Sequence, residues 1–237
     1  MSIVTMTGTG TNVGKTVATG AVACVLQKGG YEPFIVKPAQ TGEPEGEGDA
    51  PRITALTGID KAETLYRFPE PLAPATSARR ANMPYPELTT VAEKIKSFDK
   101  PGRVVLVEGA GGLLVRIGQD WTIADLAREL GVPIIVVCST GLGSLNEAEL
   151  TVEAATRRGL TVLGLIGGSI PDSPDLATRC NKEDLPVVTG TDVLGYIPEG
   201  AGKWSQQRFI QEAPGFFVSD VVDRATRESD ELLEAEW

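Results

Sequence analysis

Short apolar runs alternate along this chain with longer amphipathic stretches. The runs Ile3–Thr7, Pro33–Lys37, Arg103–Glu108, Pro133–Cys138, Val162–Gly167 and Leu194–Ile197 are rich in Val and Ile and bounded by Gly or Pro, which marks them as strands. Several are apolar at consecutive positions, as in strands covered on both faces of a parallel sheet. Between them, Lys15–Gln27, Thr122–Leu130 and Leu145–Arg158 predict helices. Gly29-Gly30 stops the first helix. Arg157-Arg158 closes the last with charge suited to a helix C-terminus. This β–α rhythm predicts a doubly wound, mostly parallel α/β sheet with helices on both faces. The chain reads as one domain over residues 1–237, with a mobile Gly- and Glu-rich loop at Gly42–Gly48 and an acidic, frayed tail at Ser229–Trp237.

Composition narrows the chemistry. The chain has 237 residues and no histidine. That excludes Ser-His-Asp and Cys-His hydrolases and any imidazole zinc site. The three cysteines, Cys24, Cys138 and Cys180, are scattered and form no CxxC pair. Cys24 and Cys138 fall in apolar interiors as core residues, and the cysteine usage suits a reducing cytoplasm. A net charge of −10 argues against nucleic acid or an anionic membrane as partner. No secretory leader and no membrane span are expected.

The strongest motif is Gly8-Thr9-Gly10-Thr11-Asn12-Val13-Gly14-Lys15-Thr16-Val17. It follows a predicted strand and opens a predicted helix, the setting of a phosphate loop. There, backbone N–H groups and the helix N-terminus face phosphates, the lysine reaches the β/γ-phosphates and the threonine hydroxyl ligates Mg²⁺. Five residues separate Gly8 from Gly14, one more than in the common pattern, and Gly10 stands where a partition ATPase carries lysine.

Four segments together, GTGTNVGKT, Val36–Gly42 (VKPAQTG), Val107–Gly112 (VEGAGG) and Leu142–Asn146 (LGSLN), resemble the dethiobiotin synthetase family over residues 2–200. The resemblance implies a P-loop NTPase-like fold and a homodimer. The implied reaction is Mg²⁺-dependent and driven by ATP or another nucleoside triphosphate. It joins 7,8-diaminononanoate and CO₂ into dethiobiotin through a carbamate and a carbamic-phosphoric anhydride.

The resemblance also assigns roles. Glu108, at the tip of an apolar strand beside the phosphate loop, already reads as a Walker-B carboxylate, or else as an exposed strand end; the resemblance keeps the first and sets Gly109, Ala110 and Gly111 along the nucleotide. Asp49 joins Thr16 and Glu108 as an oxygen-only metal set; read alone, it is a solvated charge in a Glu-rich loop. Lys37 and Thr41, with Lys15, serve the carbamate and the transferring phosphoryl; read alone, Lys37 is a strand-end lysine reaching solvent. Thr11, Leu72, Ala73 and Gly111 line the substrate channel. Gly143, Ser144 and Asn146 receive the substrate's tail carboxylate across the dimer interface; read alone, Ser144 is an N-cap. Ile197, Pro198 and Glu199 flank the nucleobase, or form a plain turn. Gly168 and Ser169 stand where many family members carry an adenine-reading asparagine. Backbone contacts alone predict relaxed base selectivity. Two other readings remain open on the residues: an amidotransferase-type synthetase of the same superfamily, and a non-catalytic partition-type ATPase switch.

Overall fold

The computed structural model describes residues 2–218 and 221–226. The expected frayed tail lies outside them. Seven parallel strands form one sheet in the order β3-β2-β4-β1-β5-β6-β7. They are β1 (Ile3–Gly8), β2 (Glu32–Thr41), β3 (Ala62–Phe68), β4 (Arg103–Glu108), β5 (Ile134–Cys138), β6 (Val162–Ile170) and β7 (Val193–Pro198). From β1 the chain winds to one side through β2, β3 and β4, then to the other through β5, β6 and β7. The winding reverses at β1, so the crevice at the C-terminal ends of β1, β2 and β4 is the natural ligand site.

Pleating divides the core into two layers. Val105 and Val107 face one layer with Ala78 of α3 (Pro74–Arg80), Val91 of α4 (Leu88–Lys96), Ile123 and Leu126 of α5 (Ile123–Leu130) and Val152 of α6 (Ser144–Thr156). Val104 and Leu106 face the other, with Val22 and Leu26 of α1 (Lys15–Lys28), Ile53 of α2 (Asp49–Thr57) and Phe209. Every residue of β1, β4 and β5 is buried, which is why these strands read as unbroken apolar runs.

Three differences from the sequence reading bear on the site. β2 continues past Lys37 and Pro38 to Thr41. Its pairing to β4 ends at Val36, and on β3 the register runs from Lys37–Thr64 to Ala39–Tyr66, so the imide nitrogen of Pro38 breaks no ladder. Residues after Gly48 form α2, with Asp49 at its first position. Finally, Gly143, in the left-handed region, caps α6, and Ser144 is its first helical residue rather than its cap.

Candidate active site

The phosphate loop owes its shape to two close approaches. Gly14 has φ +98°, and a β-carbon there would lie 2.3 Å from the Gly168 carbonyl oxygen. A β-carbon on Gly168 would lie 1.7 Å from the Val13 carbonyl oxygen. Loop and β6 therefore touch backbone to backbone, and only glycine fits on both sides. Asn12 adopts the left-handed region at φ 61°, which asparagine tolerates. The loop's base is pinned where Thr9 N–H donates to the Val137 carbonyl (3.0 Å) and Leu113 N–H to the Gly8 carbonyl (3.1 Å).

Where the loop enters α1, a cavity of about 580 Å³ opens. It is lined by Thr11, Asn12, Gly14, Lys15, Thr16 and Val17 of the loop and α1, by Lys37, Thr41, Asp49, Glu108, Ala110 and Gly111, and by Leu72 and Ala73. Five separate parts of the chain expected to serve the site thus meet in one place, while the Leu142–Asn146 segment does not join them. The N–H groups of the first turn of α1 have no intrahelical partner and are available to an anion.

The charged cluster is tightly organised. Lys37, 3% exposed, reaches Asp49 Oδ2 at 2.5 Å and Glu108 Oε1 at 3.2 Å, and donates to the Gly109 carbonyl at 2.8 Å. Thr16 Oγ1 lies 3.0 Å from Asp49 Oδ1 and 2.9 Å from Glu108 Oε1. Burial alone would depress the Lys37 ammonium, but Glu108 and Asp49 hold it above its ordinary value. Burial opposes the charge of Asp49 too, yet Lys37 keeps its carboxyl low. Glu108 goes the other way: burial raises its carboxyl against the pull of Lys37. One cation between two carboxylates favours ionisation of the more exposed one. The Lys15 ammonium donates to the Gly10 carbonyl at 2.7 Å, and burial, with Lys37 nearby, lowers its pKa to about 8.

Glu108 Oε2 is buried with no hydrogen-bond partner. An orphaned carboxylate oxygen beside Thr16 and Asp49 is what a hard divalent cation would satisfy, so the oxygen set fits Mg²⁺.

Other expected residues lie apart from this cavity. Val13 packs into the core behind the loop, and Gly109 meets the site through its carbonyl. The Ser169 carbonyl accepts from Thr140 Oγ1 at 2.7 Å. The Ile197 side chain is core, and Glu199 N–H donates to the Ile170 carbonyl at 2.8 Å, so Ile197–Glu199 can offer a ligand only its outer edge. Gly143, Ser144 and Asn146 sit at the start of α6, with Ser144 Oγ accepting from Asn181 at 3.0 Å.

The sequence reading missed Gln40. Its Oε1 accepts the Asp49 N–H at 2.9 Å, and a β-carbon on Gly48 would collide with the Gln40 side chain. Gln40 therefore positions the first residue of α2, while Arg67 donates to the Pro44 and Glu47 carbonyls in the loop before it. Replacing Gln40 with alanine removes its bond to the Asp49 N–H, about 1 kcal/mol, and the longer one that its amide donates to the Thr41 carbonyl (3.3 Å). The expected result is a several-fold rise in the Mg²⁺ concentration giving half-maximal rate, with the saturated rate less affected. An unchanged metal titration would show that Gln40 does not hold Asp49.

Comparison with known proteins gives the family and the fold. A family model described as an AAA domain matches residues 3–202. A Corynebacterium kroppenstedtii protein named ATP-dependent dethiobiotin synthetase BioD is 95% identical over 97% of this chain and 100% of its own length. One of the same name from Corynebacterium diphtheriae is 55% identical over 89% and 95%. Among solved structures, the septum site-determining protein MinD of Pyrococcus horikoshii, complexed with Mg-ADP, superposes with TM-score 0.56 at 17% identity, over 97% of this chain and 95% of its own. That likeness is one of fold. Sequence identity over nearly the full length of both chains, with three of the four motifs gathered about one cavity, places this chain in the ATP-dependent dethiobiotin synthetase family.

Proposed function

We propose that the protein makes dethiobiotin in biotin biosynthesis, as an ATP-dependent ligase that forms C–N bonds, in the cavity between the phosphate loop and Lys37. The observation that carries this reading is the meeting of Lys15, Thr16, Lys37, Asp49 and Glu108 around one space, in a chain 95% identical to a protein of that name.

The chemistry asks little of a general base. One amine of 7,8-diaminononanoate adds to CO₂ and loses a proton, giving a carbamate. A carbamate oxygen attacks the γ-phosphorus and ADP leaves. The second amine attacks the carbamoyl carbon, the ring closes and phosphate departs. The substrate supplies both nucleophiles, so the protein's tasks are positioning and charge neutralisation. Thr16, Asp49 and Glu108 would hold Mg²⁺, which neutralises phosphate charge. Lys15 serves the β/γ-phosphates. Lys37 serves the carbamate and the phosphoryl in transit, and Thr41 the reacting end of the diamine. The ammonium of Lys37 already has three acceptors, so substrate exchanges with one of them. Asp49, the partly exposed one, is the partner placed to give way.

Gly143, Ser144 and Asn146 lie outside this cavity. Their role in binding the tail carboxylate goes with a homodimer, in which each chain's α6 turn serves the other's site. The proposed location is the cytoplasm.

Incubation with diaminononanoate, bicarbonate, Mg²⁺ and ATP should yield dethiobiotin by mass, one per ATP consumed. ATP hydrolysis without that product would favour the switch reading over the ligase.

Base selectivity is a separate outcome. With glycine sealed against Val13 at position 168, no side chain there can pair with the nucleobase edge. Backbone contacts discriminate less than a dedicated amide. Values of kcat/KM for ATP, CTP, GTP and UTP are expected within about tenfold of one another. A hundredfold preference for ATP would contradict this.

A further inference from the structure

The cavity contains a cation that no motif announced. Arg52 stands on α2, one helical turn beyond Asp49, and lines the same space as Lys15, Thr16 and Lys37. A β-carbon built on Gly202 would lie 2.9 Å from Val17 Cγ2 and 3.9 Å from Arg52 Nη2. The guanidinium thus reaches the turn after β7 beside Val17. Among the described residues, Arg52 makes no ion pair and no side-chain hydrogen bond.

Charge balance gives this cation a task. The charged groups lining the cavity are Lys15, Lys37, Arg52, Asp49 and Glu108. Lys37 is already committed to the two carboxylates. A nucleoside triphosphate stays anionic after binding one divalent ion, and Lys15 alone does not neutralise it. Direction along the nucleotide follows from the loop. Lys15 and Thr16 belong with the β/γ-phosphates and metal, so Val17, the next residue, lies toward the α-phosphate. Arg52 is beside Val17.

We propose that Arg52 binds the nucleotide through its α-phosphate, as a further cation of the polyphosphate site. This rests on the reading of the cavity as the nucleotide site. Arg52 is exposed, so its variants should fold.

The test compares the full-length wild type with Arg52→Ala, Arg52→Lys and Lys15→Ala. Affinities for ATP, ADP, AMP and adenosine are read by competition against a fluorescent ATP analogue. Arg52→Ala should weaken ATP, ADP and AMP about tenfold, as for loss of one charge-assisted hydrogen bond, and leave adenosine unchanged. Arg52→Lys should recover part of the loss. In turnover, the KM for nucleotide should rise by a similar factor while kcat and the KM for diamine stay within twofold. Unchanged ATP affinity in Arg52→Ala overturns the proposal, as does an equal loss for adenosine, which would place the guanidinium on the base or ribose. The cavity reading is judged separately: if Lys15→Ala binds ATP as tightly as the wild type, that reading fails.

Discussion

Replacing Lys37 with alanine is expected to lower turnover by about 10³-fold, the scale for removing a preorganised group that meets charge developing in the transition state. The loss should fall mainly on kcat, because Lys15 and the loop's N–H groups remain to bind nucleotide. Folding will suffer as well, and the two effects can be separated. Lys37 is the cation between Asp49 and the fully buried Glu108. Removing it leaves a buried carboxylate without its counter-charge, at a cost of about 3 kcal/mol. Burial already raises the Glu108 carboxyl, and without Lys37 it would rise further. A carboxyl whose folded pKa lies above its unfolded value loses stability as pH climbs past the unfolded value, and regains it as pH falls. The variant's stability deficit relative to the wild type should therefore be smaller near pH ~5 than near pH ~8. The double variant Lys37→Ala/Glu108→Gln removes both charges and should recover much of the melting temperature but none of the turnover. Near-normal turnover in Lys37→Ala would remove Lys37 from the reaction.

The parts of this fold that could be read from sequence are those whose burial is complete. β1, β4 and β5 are covered on both faces, and their apolar runs mark them almost to the residue. β3 escaped notice because it is an edge strand. Pairing only with β2, it leaves most of its residues half-buried and keeps Glu63 and Arg67 in its run, so neither continuity nor alternation shows. Helix α7 (Leu176–Thr189) escaped because it carries Pro186 in its interior and buries only Thr178, Asn181 and Leu185. The site shows the same division. Gly14, Lys15 and Thr16 are adjacent in sequence and bring their own setting, so their chemistry could be read locally. Lys37, Asp49 and Glu108 are distant in sequence, and only a resemblance linked them before the fold did. Gln40 and Arg52 are ordinary residues in sequence terms. Their roles follow from where α2 begins, at the Asp49 N–H that Gln40 accepts.

Changing Glu108 to glutamine is the second large expected effect, and it isolates the metal. Glutamine keeps the shape of the side chain, and its carbonyl oxygen can still accept from Thr16 and Lys37 in place of Oε1. What it loses is Oε2, buried and unpartnered, replaced by an amide that repels a cation. Lys37 would still have Asp49 as counter-ion, so the melting temperature should stay close to that of the wild type. Turnover should nevertheless fall by about 10²-fold or more, and the Mg²⁺ concentration for half-maximal rate should rise well above the wild-type value. Nucleotide affinity measured without metal should change little or improve, since a negative charge has left the cavity wall. That pattern, metal response lost while fold and metal-free binding persist, is what distinguishes a ligating oxygen from a carboxylate that only steadies Lys37. If Oε2 does not face the metal, Glu108→Gln will show the wild-type Mg²⁺ titration with a lower plateau, and the role of Glu108 reduces to orienting Lys37 and Thr16.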